Sequence, residues 1–154
     1  MTLITEKYKY TELKRNTTPQ GRKYLTPEGH AVASVTTILD STQDKTHLHQ
    51  WRNRVGTKRA AEITTEASHR GTRIHKYLED YILSGEWPTP GSNPYAQEAN
   101  RMAHIIKENA LCDMTEIWGT EVNLWIPQIY AGTTDMCGCY RGNPAICDFK
   151  QSNK

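Results

Sequence analysis

Apolar positions along this chain recur first at helical spacing and then at strand spacing, with the change falling near residue 114. Residues 1–33 form an N-terminal extended segment. Short extended stretches are expected over 8–13 and 22–25, punctuated by the turn residues Thr17-Thr18-Pro19-Gln20-Gly21 and Pro27-Glu28-Gly29. Ser34 then opens Val35-Thr36-Thr37-Ile38-Leu39, which reads equally as a strand or as the first turn of a helix. From Lys45 the pattern is helical. Leu48, Trp51 and Val55 recur at spacings of three and four, and Ala60, Ile63 and Ala67 continue after Gly56. Another helix is predicted to begin near Gly71-Thr72, with Ile74, Tyr77, Leu78, Tyr81 and Ile82 on one face and Gly85 as its stop. After a Pro/Gly-rich loop over 86–94, a fourth helix is expected over 95–110.

Beyond residue 114 alternation takes over. Strands are predicted over 121–126, 130–136 and 145–150, with Tyr140-Arg141-Gly142-Asn143-Pro144 as the last turn. The expectation is a single α+β (mixed α/β) domain, 1–154, with helices over 34–113 followed by a small mixed sheet over 114–154. A terminal three-stranded sheet with no helix after it leaves one face poorly covered. The chain is therefore expected to be a fragment, or to be completed by a second polypeptide.

Length and composition agree with one soluble domain. The chain has 154 residues, 36% hydrophobic, with a mean hydropathy of −0.74, and no run approaches the roughly 18 apolar residues of a membrane span. Residues 1–7 lack the apolar core of a secretory signal, so a cytoplasmic location is expected, with no membrane partner. The net charge of +2 is uneven: residues 1–60 hold 11 basic and 5 acidic side chains, and residues 61–154 hold 8 and 12. A basic first part and an acidic second part suit a polyanion held against a cation site. The cysteines Cys112, Cys137, Cys139 and Cys147 form no C-x-x-C pair and read as reduced, semi-buried residues.

Two constellations carry candidate chemistry. In Asp148-Phe149-Lys150, a strand puts Asp148 and Lys150 on one face and Phe149 on the other. If the preceding strand pairs alongside, Asp135 approaches the same patch. Two adjacent carboxylates repel, a divalent cation relieves that repulsion, and hard oxygen donors select Mg²⁺ or Mn²⁺. Lys150 would then stabilise charge at a phosphate. On the predicted helix, His75 and Glu79 are four apart and share a face. Either constellation alone is commonplace on a solvated surface. His30, His47, His49, His69 and His104 lack comparable surroundings.

Taken together, Ser34-Val35-Thr36-Thr37-Ile38-Leu39, Arg70-Gly71-Thr72-Arg73-Ile74-His75 with Glu79, Ala131-Gly132-Thr133-Thr134-Asp135 and Asp148-Phe149-Lys150-Gln151-Ser152-Asn153-Lys154 resemble the RecB-like branch of the PD-(D/E)XK nucleases. In order and spacing they are similar to mitochondrial genome maintenance exonucleases and their phage relatives. The resemblance implies a restriction-endonuclease-like core whose C-terminal part is missing, since the family's further sheet and Gln/Tyr helix have no counterpart here. It implies His75, Asp135, Asp148 and the Phe149 carbonyl as metal ligands, Lys150 as the catalytic lysine, Glu121 as a further acidic catalytic position, and Glu79 as support for His75. It also implies a Mg²⁺- or Mn²⁺-dependent exonuclease on single-stranded or duplex DNA ends, in replication, recombination or repair, without an iron–sulfur cluster. A non-cleaving nucleic-acid-binding module and a restriction-type endonuclease are the alternatives. DNA contacts are expected from Lys58, Arg59, Arg70, Arg73 and Trp51, together with Lys45, Arg52, Arg54 and Tyr77.

Overall fold

The computed structural model describes residues 2–3 and 7–151. The fold is α+β: among the described residues there are four α-helices and a seven-stranded mixed sheet. In chain order the strands and helices are β1 (Thr2–Leu3), β2 (Lys14–Thr18), β3 (Gly21–Leu25), β4 (Ala31–Ser34), α1 (Val35–Thr42), α2 (Thr46–Val55), α3 (Thr57–Ser84), α4 (Pro94–Asn109), β5 (Met114–Ile126), β6 (Tyr130–Tyr140) and β7 (Asn143–Cys147). The sheet runs β1-β5-β6-β4-β3-β2, and β7 also pairs with β6.

Long antiparallel β5 and β6 form the spine, joined through Pro127-Gln128-Ile129. Arg141 (φ +48°) and Gly142 (φ +83°) turn β6 into β7, since a two-residue hairpin loop of the favoured hand needs positive φ at both positions. β5 occupies one edge of β6 along its length. On the other edge β4 pairs in parallel at Tyr130 and Ala131, and β7 pairs from Met136 onward, leaving residues 132–135 of that edge uncovered.

Ser34 resolves the ambiguity of the segment that follows it. Its hydroxyl accepts the Thr37 N–H (3.0 Å), so the chain leaves β4 and turns at once into α1. The expected helix start at Gly71-Thr72 is corrected: α3 runs unbroken through it for 28 residues, and the Thr72 hydroxyl donates back to Ser68 O. Packing of Ile74, Leu78 and Ile82 on the sheet overrides the local signal. These three join Ala99 and Ala103 of α4 and Met114, Ile117 and Met136 of the spine in the main core. A second cluster holds Leu13, Tyr24, Val32 and Ala131, and a third holds Trp118, Val122 and Cys137 beneath Tyr10.

Residues 8–13 form no strand; the Leu13 N–H donates to the Asn123 side chain instead (2.7 Å). The last strand is shorter than expected and ends at Cys147, so Asp148-Phe149-Lys150 lies just beyond it. Ser152, Asn153 and Lys154 of the resembling segment lie outside the described residues. Among the described residues no helix is long and apolar enough to cross a membrane.

Candidate metal centre

α3, β5 and β6 each bring one side chain to a single point. His75 follows the buried Ile74 on α3, at the border between the packed and exposed faces. Asp135 sits on the uncovered edge of β6. Glu121 lies on β5 between the paired positions Thr120↔Met136 and Val122↔Thr134, opposite Asp135. One nitrogen of His75 and one oxygen of each carboxylate all lie within 4.8 Å of one another. Ligand atoms opposed across a small divalent cation at about 2.1 Å stand about 4.2 Å apart, so the group closes on such an ion with shifts of a few tenths of an ångström. Cysteine takes no part in this group.

The backbone of Phe149 organises the centre. Its N–H donates to Asp135 Oδ2 (2.6 Å), and its carbonyl lies 2.9 Å from His75 Nε2. A carbonyl only accepts, so Nε2 carries the proton. In the neutral ring Nδ1 is then a bare lone pair, and it faces Asp135 Oδ1 at 3.3 Å. Two acceptors at that distance repel unless a proton or a cation lies between them. Donation of the remote ring N–H to a backbone carbonyl is the usual outer support of a metal-bound histidine. The Phe149 carbonyl, expected among the metal ligands, is found against His75 Nε2, where it fixes the histidine tautomer.

Glu121 adopts φ +50°, a left-handed conformation rare for a residue of this type. Glu121 is exposed as a residue, but partial desolvation of its carboxyl end, and then the charges of Asp135 and Glu79, push its pKa up from 4.5, with His75 and Arg15 pulling the other way. Glu79 makes no hydrogen bond to His75; its influence is exerted on Glu121 instead.

Asp148 is not among the gathered ligands. Its carboxylate pairs with Lys150 Nζ at 2.8 Å, and the two side chains are 57% and 80% exposed. The alternation that puts Asp148 and Lys150 together holds, and Phe149 packs against the main core. With the strand over at Cys147, however, the Asp148 carboxylate is turned to Lys150, and the carboxylate found beside Asp135 and His75 is that of Glu121.

Gln151 escaped the reading of the sequence as a position of its own, since no spacing marks it. Its amide donates to Ala67 O (2.5 Å) and accepts from Arg70 Nε (2.5 Å), tying the segment after β7 to the middle of α3. Gly71 leaves room for it: a Cβ there would stand 3.3 Å from Gln151 Nε2. Arg70 is thus engaged at this clasp, and Arg73 lies beside it in a surface depression with Tyr95 and Glu98. Lys58 and Arg59 are exposed on α3, the latter paired with Glu62, and Trp51 is half-buried on α2. Tyr77, expected among the stacking residues, packs against the main core. No family model matches the sequence, and no curated protein matches it.

Proposed function

We propose that the chain is a divalent-cation-dependent nuclease of the RecB-like PD-(D/E)XK type, hydrolysing phosphodiester bonds of DNA at single-stranded ends in replication, recombination or repair. The observation that carries this reading is the convergence of His75 Nδ1, Asp135 Oδ1 and the Glu121 carboxylate on one point, with Nε2 turned to the Phe149 carbonyl. That arrangement is unfavourable without positive charge at its centre.

His75 Nδ1, Asp135 Oδ1 and the Glu121 carboxylate would hold the ion, a mixed nitrogen and oxygen set compatible with Mn²⁺ or Mg²⁺. A cation bound there acidifies a water and neutralises charge at a phosphate. The chain's own groups do the rest. Phe149 fixes both Asp135 and His75 through its backbone, so neither ligand needs to reorganise. Lys150 brings an ammonium group on a long flexible stem to the same segment. An exposed ion pair such as Lys150–Asp148 is worth little in water, and a phosphate displaces the aspartate from it readily.

The test is a single-stranded oligodeoxynucleotide, end-labelled, incubated with the chain and Mn²⁺ or Mg²⁺. Stepwise shortening is expected, with none in EDTA and none from Asp135→Asn, and a closed single-stranded circle is expected to survive. Digestion of the circle would point to a restriction-type endonuclease instead. One observation favours a second reading, a binding module that does not cut: Lys150 is held in an ion pair by Asp148, a carboxylate outside the gathered group. Tight DNA binding with no cleavage under any divalent cation supports that module.

A further inference from the structure

The uncovered stretch of the β6 edge opens into a cleft of about 600 Å³. Trp125 at the end of β5 and Tyr130 at the start of β6 line it with aromatic surface, and Leu39 of α1 adds an exposed apolar edge. Arg22 brings positive charge to it, Lys150 lines it in an ion pair with Asp148 that a phosphate would have to open, and the Thr133 and Thr134 positions belong to its β6 side. Arg22 makes no ion pair among the described residues, although its backbone is fixed by Thr37 Oγ1. Arg15 is paired with Tyr24 across the β2–β3 hairpin, and Arg22 lies two residues before that tyrosine, so both guanidinium groups belong to one face of the hairpin. Arg15 is near enough to the metal centre to act on the charge of Glu121.

We propose that this cleft is a subsite for unpaired nucleotides of a single DNA strand. Bases lie against Trp125 and Tyr130, and the flanking phosphates are held by Arg22 and Lys150. The proposal rests on the nuclease reading and names the strand path next to its centre. The size suits about one or two nucleotides, within the range of roughly 300–1,000 Å³ that holds small ligands. Rings in a cleft reach only a base with a free face, and a base stacked and paired in a duplex offers none. Stacking on aromatic side chains beside cationic groups is the usual chemistry of single-strand recognition. The hairpin also gives the positive surplus of the first 60 residues a location beside the acidic centre.

The experiment measures anisotropy of a fluorescein-labelled oligothymidylate with the full chain in EDTA, where no cleavage competes, across a salt series. Arg22→Gln is expected to reduce the magnitude of the salt slope by about 1. Tyr130→Ala, at an exposed position, is expected to weaken binding about 5- to 150-fold, the range of one base–aromatic stack. Trp125→Phe, which preserves the packing, is expected to abolish most of the tryptophan quenching on binding. A duplex of equal length is expected to bind more weakly and to ignore Tyr130→Ala. The subsite is overturned if the chain does not bind the strand, if both Arg22→Gln and Tyr130→Ala bind as the parent does, or if quenching persists in Trp125→Phe. If the strand binds as expected but Mn²⁺ never produces cleavage, the nuclease reading fails and the subsite stands. If cleavage occurs and the variants bind normally, the reverse holds.

Discussion

Glu121 is the residue at which stability and the proposed chemistry conflict. A left-handed φ costs a non-glycine residue roughly 1–2 kcal/mol, and Glu121 bears that cost at +50° while its carboxyl sits near two others. Strain of this sort persists where the surroundings impose it, and it clusters at functional sites. Asparagine tolerates the conformation, so Glu121→Asn is expected to stabilise the cation-free fold by about 1 kcal/mol in urea unfolding, while removing the ability of Mn²⁺ to raise the melting temperature. Loss of stability in that variant would show that the carboxylate is held by favourable contacts. The pH dependence follows from the raised pKa. The folded state holds its proton more tightly than the unfolded chain, so the cation-free chain loses stability as pH climbs from 4.5 to the raised value. Protons and cation compete for the same oxygens, so Mn²⁺ affinity, measured by calorimetry, is expected to rise across that same interval and to flatten in Glu121→Gln. Part of this centre was legible in the sequence: His75 and Asp135 were expected together through the resemblance, whereas Asp148 was expected where the structure places Glu121, which the resemblance offered only as a further acidic position. The division of labour was not legible, because the tautomer of His75 depends on the backbone of a residue 74 positions away.

At the scale of elements, β5 and β6 succeed as a pair because one position carries no side chain. A Cβ on Gly138 would stand 2.2 Å from the Glu116 carbonyl oxygen and 2.6 Å from Met114 Cε. The first of these is backbone, which cannot swing aside. Gly138→Ala is therefore expected to force the two strands apart where β5 is bulged, costing about 3 kcal/mol, near the upper end for overpacking. Chemical denaturation measures it, and a change below about 0.5 kcal/mol would mean that the strands separate freely there. Long periodic elements were readable in advance: α2, α4 and the first part of β6 fall close to where hydrophobic spacing puts them, whereas β5 begins at Met114, seven residues before the expected start. Two kinds of element were not readable. Gly71-Thr72 has the composition of a helix start, yet α3 passes through it because Ile74, Leu78 and Ile82 extend one buried stripe and Gln151 needs the space that a glycine leaves. β4, only four residues of small side chains, exists through its pairing with β3 and β6, which no local pattern announces.

For the molecule as a whole, the candidate centre adds a polar junction beside the packed core: residue 75 on the helical layer, 121 and 135 on the spine, and 149 beyond the last strand. Without positive charge, the Asp135 and Glu121 carboxylates and the Nδ1 lone pair act to open this junction. A cation held there would turn each of those repulsions into an attraction and add to the packing that already holds α3 on the sheet. Binding to the folded state alone stabilises it by about 2.7 kcal/mol at a free concentration 100 times the Kd. For a chain of this size that corresponds to a rise of about 5–10 °C in melting temperature, taking roughly 2–4 °C per kcal/mol. The increase is expected with Mn²⁺, reversed by EDTA, and absent from Asp135→Asn and His75→Ala. Asp148→Asn, whose carboxylate pairs with Lys150 instead, is expected to retain most of it. An equal loss in Asp148→Asn would return that residue to the ligand set expected from its neighbours in sequence. An unchanged shift in Asp135→Asn would locate the cation elsewhere on the chain and remove the physical basis for a nuclease at this junction.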